Sequence, residues 1–222
     1  MDVFPLWNSL RVAALSTVIV FALGIVAACY VSKLGRVKKG IIDVLFTLPL
    51  VLPPTVVGYV LLVTVGTTRP LGVFLAQFGL RFVMTWYGGV LAAVVVALPL
   101  MYRTARGAFE SFDESLAYAG QTLGLSNAYI FWRIRMPACK QGILAGVVLA
   151  FARGLGEFGA TIMLIGYTPG RTATISTTVY HLWRMGDDRG AFVWVMVNVG
   201  ISAAVLLAVN LLERRGNKAV GV

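Results

Sequence analysis

Residues Gly107–Lys140 read GAFESFDESLAYAGQTLGLSNAYIFWRIRMPACK, the longest polar interval between apolar runs in this chain. Ser111–Gln121 has helix-forming composition, Gly124 stands where a helix would end, and Asn127–Arg135 begins a second helical pattern. On both sides lie stretches long and apolar enough to cross a bilayer. A helix–turn–helix held between two such stretches forms a docking surface for a soluble partner at a membrane face.

Composition agrees. Of 222 residues, 59% are hydrophobic and 13% charged, with mean hydropathy +0.84. A soluble domain cannot hide that much apolar surface, so the class is all-α integral membrane. The net charge of +10 would point to nucleic acid in a soluble chain. Here the basic residues flank apolar runs and lack interleaved base-stacking aromatics, which points to membrane topology and anionic headgroups, with no nucleic-acid partner.

Five spans are expected: Val12–Val31, Val44–Thr68, Phe82–Tyr102, Gln141–Tyr167 and Ala191–Leu212, within a single domain of residues 1–222. Each is long enough to cross about 30 Å of hydrocarbon as a helix. The N-terminus lacks the Lys/Arg start and small-residue cleavage site of a signal peptide, so the first run is read as a retained span. Lys33, Arg36, Lys38, Lys39, Arg103, Arg106, Arg133, Arg135, Lys140, Arg214, Arg215 and Lys218 fall on one side, twelve in all. Arg11, Arg69, Arg81, Arg171, Arg184 and Arg189, six in all, fall on the other. The more basic side faces the cytoplasm, which puts the N-terminus outside, the C-terminus inside and the Gly107–Lys140 loop inside. Five helices enclose a wide path only as a homodimer, with the path at the interface.

Two charges stand inside the fourth span. Arg153 and Glu157 are spaced i, i+4, about 18 and 24 Å from its cytoplasmic start at the helical rise. Charge at that depth is costly unless paired. Either the two lock helix register as an ion pair, or they flank the substrate path or its gate. Gly154, Gly156 and Gly159 beside them permit close helix approach. In the second span, LPLVLPPTVVGYVLL (Leu48–Leu62) carries Pro49, Pro53 and Pro54, so it cannot be a straight helix. The freed carbonyls need protein or a wet cavity around them, which Thr55, Gly58 and Tyr59 could line; the alternative is a kinked packing helix. Thr168–Met185 reads TPGRTATISTTVYHLWRM; Ile175, Val179, Leu182 and Trp183 share a face there, as in a short amphipathic or re-entrant helix on the outer surface. His181 is the only histidine and is read as an interfacial polar residue. Cys29 and Cys139 lie in separate segments, and no CxxC, HExxH or Cys/His cluster exists, so neither a disulfide framework nor a zinc-type metal site is expected.

The stretch LAYAGQTLGLSNAYIFWRIRMPACKQGILAGVVLAFARGLGEFGAT resembles the coupling loop and following span of permease subunits of binding-protein-dependent ABC importers. Those permeases carry a Glu-Ala-Ala motif, a glycine six residues after the Glu, and a later Leu-Pro. The Ala, Gly and Pro positions fall on Ala119 and Gly120, Gly124 and Pro137, with Met136 before the proline. The Glu position is Tyr118; Glu114, one turn earlier, could stand in for it. LPLVLPPTVVGYVLL, AFARGLGEFGAT and PGRT are most similar to the molybdate transporter permease family, over about Asn8 to Leu212. Tungstate and sulfate permeases are neighbours, the latter longer by a span.

The resemblance implies a division of labour. An extracytoplasmic binding protein captures the oxyanion, two copies of this chain form the path, and two cytoplasmic ATPase subunits bind ATP and Mg. Coupling to the ATPase would fall on Glu114, Tyr118, Ala119, Gly120, Gly124, Asn127, Tyr129 and Pro137. The translocation path or gate would fall on Pro53, Thr55, Gly58, Tyr59, Arg153, Glu157 and Thr161. The location would be the cytoplasmic (inner) membrane of a bacterium or archaeon, multi-pass, in contact with membrane lipid. The chain itself has no GxxxxGK[ST] to cradle ATP. It is therefore expected to be no enzyme and to hold no cofactor, and its energy must come from a partner or an ion gradient. Two other classes compete. An intramembrane protease would need a catalytic pair that the spans lack; an ion-driven secondary transporter or channel would not need the long docking loop.

Overall fold

The computed structural model describes residues 2–218, with side chains through Leu207. In chain order its helices are α1 (Phe4–Ser32), α2 (Arg36–Val51), α3 (Pro54–Val65), α4 (Pro70–Gln77), α5 (Trp86–Glu110), α6 (Glu114–Thr122) and α7 (Asn127–Ile130). A π-helical turn, Phe131–Arg135, follows, and then α8 (Met136–Ala138), α9 (Lys140–Leu155), α10 (Gly159–Ile165), α11 (Ile175–Arg184) and α12 (Asp188–Lys218).

α5 is the hub. It packs on α1 and α9 through a cluster that includes Val20, Ala28, Met101, Tyr102, Ala105, Ile143 and Ala150. Gly24 of α1 makes that contact close, since a Cβ there would lie 2.7 Å from Met101 Cγ. A second cluster joins α3, α5 and α10 through Val57, Val65, Ala92, Val96, Ala160, Leu164 and Ile165. The most hydrophobic window of α5 is 67% buried and that of α12 only 11%, so α12 lies at the periphery of the single chain.

α1, α5 and α12 are long and apolar enough to cross a membrane, and two bent helix pairs bring the number of candidate spans to as many as five. The departures from the sequence reading come from backbone breaks. Val44–Thr68 is not one helix: α2 and α3 meet at 109° across Leu52–Pro53. Pro53 and Pro54 have no N–H for an intrahelical bond, and a residue before proline is pushed to extended backbone; Leu52 has ψ 141. Gln141–Tyr167 is also interrupted, between α9 and α10 at Gly156–Phe158. Arg69 to Arg81, read as a plain connection, contains α4. α5 continues to Glu110, beyond the expected end at Tyr102. The backbone of α12 runs past the expected end at Leu212; that position and the side chains of Arg214, Arg215 and Lys218 lie outside the residues whose side chains are described.

The expected amphipathic helix is α11. Thr174 and Thr177 form a reciprocal capping box at its start. Asn8 Nδ2 donates to the carbonyls of Thr172 and Ala173 at 3.3 and 3.0 Å, and Ile175 N donates to Ser9 Oγ at 2.8 Å. Of the four residues expected on one face, Ile175 is buried, whereas Trp183 is 62% exposed.

Candidate functional site: a coupling surface and a broken span

The two candidate sites sit at opposite ends of α9. The first is built on α6 and α7. Asp113 caps α6 by accepting from Ser115 N at 2.9 Å; hydrogen bonds from Ser115 hold its carboxyl below the usual range. α6 ends at Gly124, φ +77, with Gly124 N donating to Gln121 O and Leu125 N to Gly120 O, a Schellman-type stop that favours glycine. Ser126 then caps α7 by accepting from Tyr129 N at 3.2 Å. Gln121 Nε2 donates to Asn127 Oδ1 at 3.1 Å across the turn. Gly120 is where the helices touch: a Cβ would meet Ile130 Cγ1 at 3.1 Å. Outward, Tyr118 is 64% and Leu123 79% exposed. Tyr129 is also exposed, and Pro137 sits in α8, where the chain bends by 73° into α9.

Glu114, the possible stand-in for the absent motif Glu, is already engaged. Both of its carboxylate oxygens accept from Arg135 Nη2 at 2.6 Å. Arg135 is buried and its guanidinium lies 4.8 Å from the Phe112 ring centroid. The ion pair therefore clamps the start of α6 to the π-helical turn.

The second site is the break after α9. Arg153 Nη1 lies 2.6 Å from Glu157 Oε2, a close ion pair without hydrogen-bond alignment. Glu157 is buried, and its Oε1 accepts from Ala160 N at 2.7 Å in the first turn of α10. The pair is thus not strung along one continuous helix face, as the spacing had implied. It spans a helix end, with an anion capping the next helix start. A Cβ on Gly58 would sit 2.7 Å from Ala160 Cα, so Gly58 is a close contact between α3 and α10. Gly159 plays the same part against Pro54, at 2.8 Å. Thr161 is buried in α10. Pro53 stands at the bend, and Thr55 and Tyr59 are exposed. The structure thus joins Gly58, Glu157, Arg153 and the helix of Thr161 around one break and leaves Thr55 and Tyr59 on an open face.

Sequence reasoning missed a polar cluster between α2 and α5. Asp43 accepts from the Tyr102 hydroxyl and pairs with Arg106, and Lys39 pairs with Glu110. Arg106 Nε also lies 3.5 Å from Glu110 Oε1, and Phe46 stacks on Tyr102 at 4.8 Å. The signal was present: Lys39 and Asp43 are four residues apart, as are Tyr102 and Arg106, and Arg106 and Glu110.

The fold is similar to that of solved ABC transporter structures. The crystal structure of a bacterial ABC transporter that imports the acidic polysaccharide alginate aligns at TM-score 0.77 and 19% identity, over 96% of this chain and 79% of that one. An inward-facing MetNI methionine ABC transporter aligns at TM-score 0.73 and 14% identity, over 95% and 94%. Nearer in sequence is the molybdenum transport system permease protein ModB of Escherichia coli (strain K12), 39% identical over 98% of this chain and 97% of that protein. A putative molybdenum transport system permease protein, YvgM, of Bacillus subtilis (strain 168) is 37% identical over 91% and 89%. A probable molybdenum ABC transporter permease protein of Haloferax volcanii is 40% identical over 92% and 73%. The family model for the inner membrane component of binding-protein-dependent transport systems matches residues 20–217, and this chain belongs to that family.

Proposed function

We propose that this chain is the membrane-spanning permease subunit of an ATP-driven molybdate importer. The observation that carries the substrate is the set of relatives named for molybdenum transport, 37–40% identical over at least nine-tenths of this chain, from two bacteria and an archaeon. In this reading two copies form the path, two cytoplasmic ATPase subunits supply the energy, and an extracytoplasmic protein delivers the oxyanion. The chain crosses the inner membrane five times with its N-terminus outside.

The geometry supports a division of roles. α6 and α7 form a stiff element, locked by Gly120 against Ile130 and by Glu114 against Arg135, with Tyr118 and Leu123 left to meet a partner. This element is joined to α5 through residues 111–113 and to α9 through the π-helical turn and α8, so displacing it moves both. At the far end of α9, the break at Gly156–Phe158 provides a hinge that α10 and α3 follow as a packed pair. Titrating the cognate binding protein with molybdate, tungstate and sulfate in a calorimeter tests the substrate. Tight molybdate binding with sulfate excluded supports the reading; sulfate as the tighter ligand overturns it.

A further inference from the structure

An open groove of 670 Å³ runs along the end of α1 that leads into α2, between α1 and the segment from Asn127 to Met136. Its walls are apolar, with Ile25 and Cys29 on one side and Phe131 on the other. Lys33 and Asn127 stand at its rim, and Trp132 beside them is 62% exposed. From Phe21, at its deep end, to Lys33 the groove follows α1 for about 18 Å, the depth of one bilayer leaflet. A cleft so apolar, lying along a span and open sideways, faces acyl chains rather than a soluble ligand.

The rim carries one sign of charge. Lys33 is exposed and enters no ion pair among the described residues, and Arg36 and Lys38 follow it, also exposed. No acidic residue occurs between Asp2 and Asp43, and Asp43 is held by Tyr102 and Arg106. The segment of the opposite wall, Asn127 to Met136, holds no carboxylate, and Arg133, next to Trp132 in the chain, is exposed. We infer that this groove is a binding site for an anionic phospholipid, with an acyl chain along Ile25, Cys29 and Phe131 and its phosphate on Lys33. The bound lipid fills the seam between α1 and the π-helical turn, and so braces the coupling segment against the bundle.

The lipid's leaflet rests on the orientation proposed above, but its selectivity does not; selectivity is read in nanodiscs, which expose both faces, and orientation is read separately in cells. The complete complex is reconstituted in phosphatidylcholine nanodiscs containing a small fraction of brominated phosphatidylglycerol or of brominated phosphatidylcholine. The Trp132 contribution to fluorescence is obtained by subtracting the Trp132→Phe variant. Brominated phosphatidylglycerol is expected to occupy the site about fivefold more strongly than brominated phosphatidylcholine, the factor expected for one Lys–headgroup contact. Lys33→Gln is expected to bring that ratio close to one. Equal quenching by both lipids in the wild type overturns the proposal, as does a preference that survives Lys33→Gln. Absence of quenching by either lipid also overturns it, because protein rather than lipid would then cover the groove.

Discussion

Arg153 and Glu157 close an ion pair of 2.6 Å across the end of α9, and the same carboxylate caps the first turn of α10 through Ala160 N. The contact thus holds two helices in one relation rather than stiffening a single span. It also explains why a buried acid is tolerated: one oxygen meets a guanidinium and the other a backbone N–H.

Removing one partner leaves the other charged at membrane depth. Glu157→Met alone is therefore expected to cost assembly, on the order of 3–5 kcal/mol for a broken buried pair. Arg153→Met with Glu157→Met removes both charges and is expected to restore assembly. Molybdate uptake per assembled complex in the double variant, at matched expression, then reads the role of Arg153. Uptake above half of wild type confines the pair to architecture. Assembly without uptake gives Arg153 an electrostatic part in the path.

Glu114 and Arg135 offer a cleaner exchange. Glu114 is about half exposed, so the pair contributes about 1 kcal/mol after solvent screening. Its value lies in fixing α6 on the π-helical turn. Glu114→Arg is expected to lower ATPase co-purification and uptake several-fold, and adding Arg135→Glu to recover most of both. No recovery in the swapped variant would mean that Glu114 meets the ATPase directly.

Gly124 separates backbone need from space. A Cβ there would meet nothing within 4 Å, yet φ is +77. A β-branched residue pays roughly 1–2 kcal/mol in that region, whereas Asn tolerates it. Gly124→Asn is expected to transport near normally and Gly124→Val to insert normally but lose uptake and ATPase co-purification. Equal activity of the two variants would show that the turn's shape does not transmit.

Orientation is tested by labelling. Thr172 is buried, so Arg171→Cys, at an exposed position in the loop before α11, is the outer probe. Leu123→Cys is the inner one, in a background with Cys29 and Cys139 replaced. An impermeant maleimide on intact cells is expected to label the first and not the second. The reverse pattern would invert the topology.

What the sequence revealed follows from which forces are local. The stop at Gly124, the helices on either side of it and the amphipathic α11 were readable because caps, glycine and periodicity act within a few residues. The prolines at 53 and 54 announced a bend, but not its 109°, which depends on how α3 packs against α10. The break at Gly156–Phe158 was hidden because the i, i+4 spacing of Arg153 and Glu157 fits one continuous helix face, and Gly154, Gly156 and Gly159 fit close helix approach as well as a break. Gly58 fits either a cavity lining or a kinked packing helix by sequence, since nothing in its neighbours reveals that Ala160, about a hundred positions on, rests against it. The Asp43–Tyr102–Arg106 cluster joins two spans, and single-chain spacing shows only half of each pair.

Uptake of radiolabelled molybdate into proteoliposomes bearing this chain tests the central claim most directly. The account predicts accumulation only when ATP, the cognate ATPase and the cognate binding protein are all present, with no inhibition by an excess of sulfate. Accumulation driven by an imposed ion gradient in the absence of ATPase and ATP would contradict it.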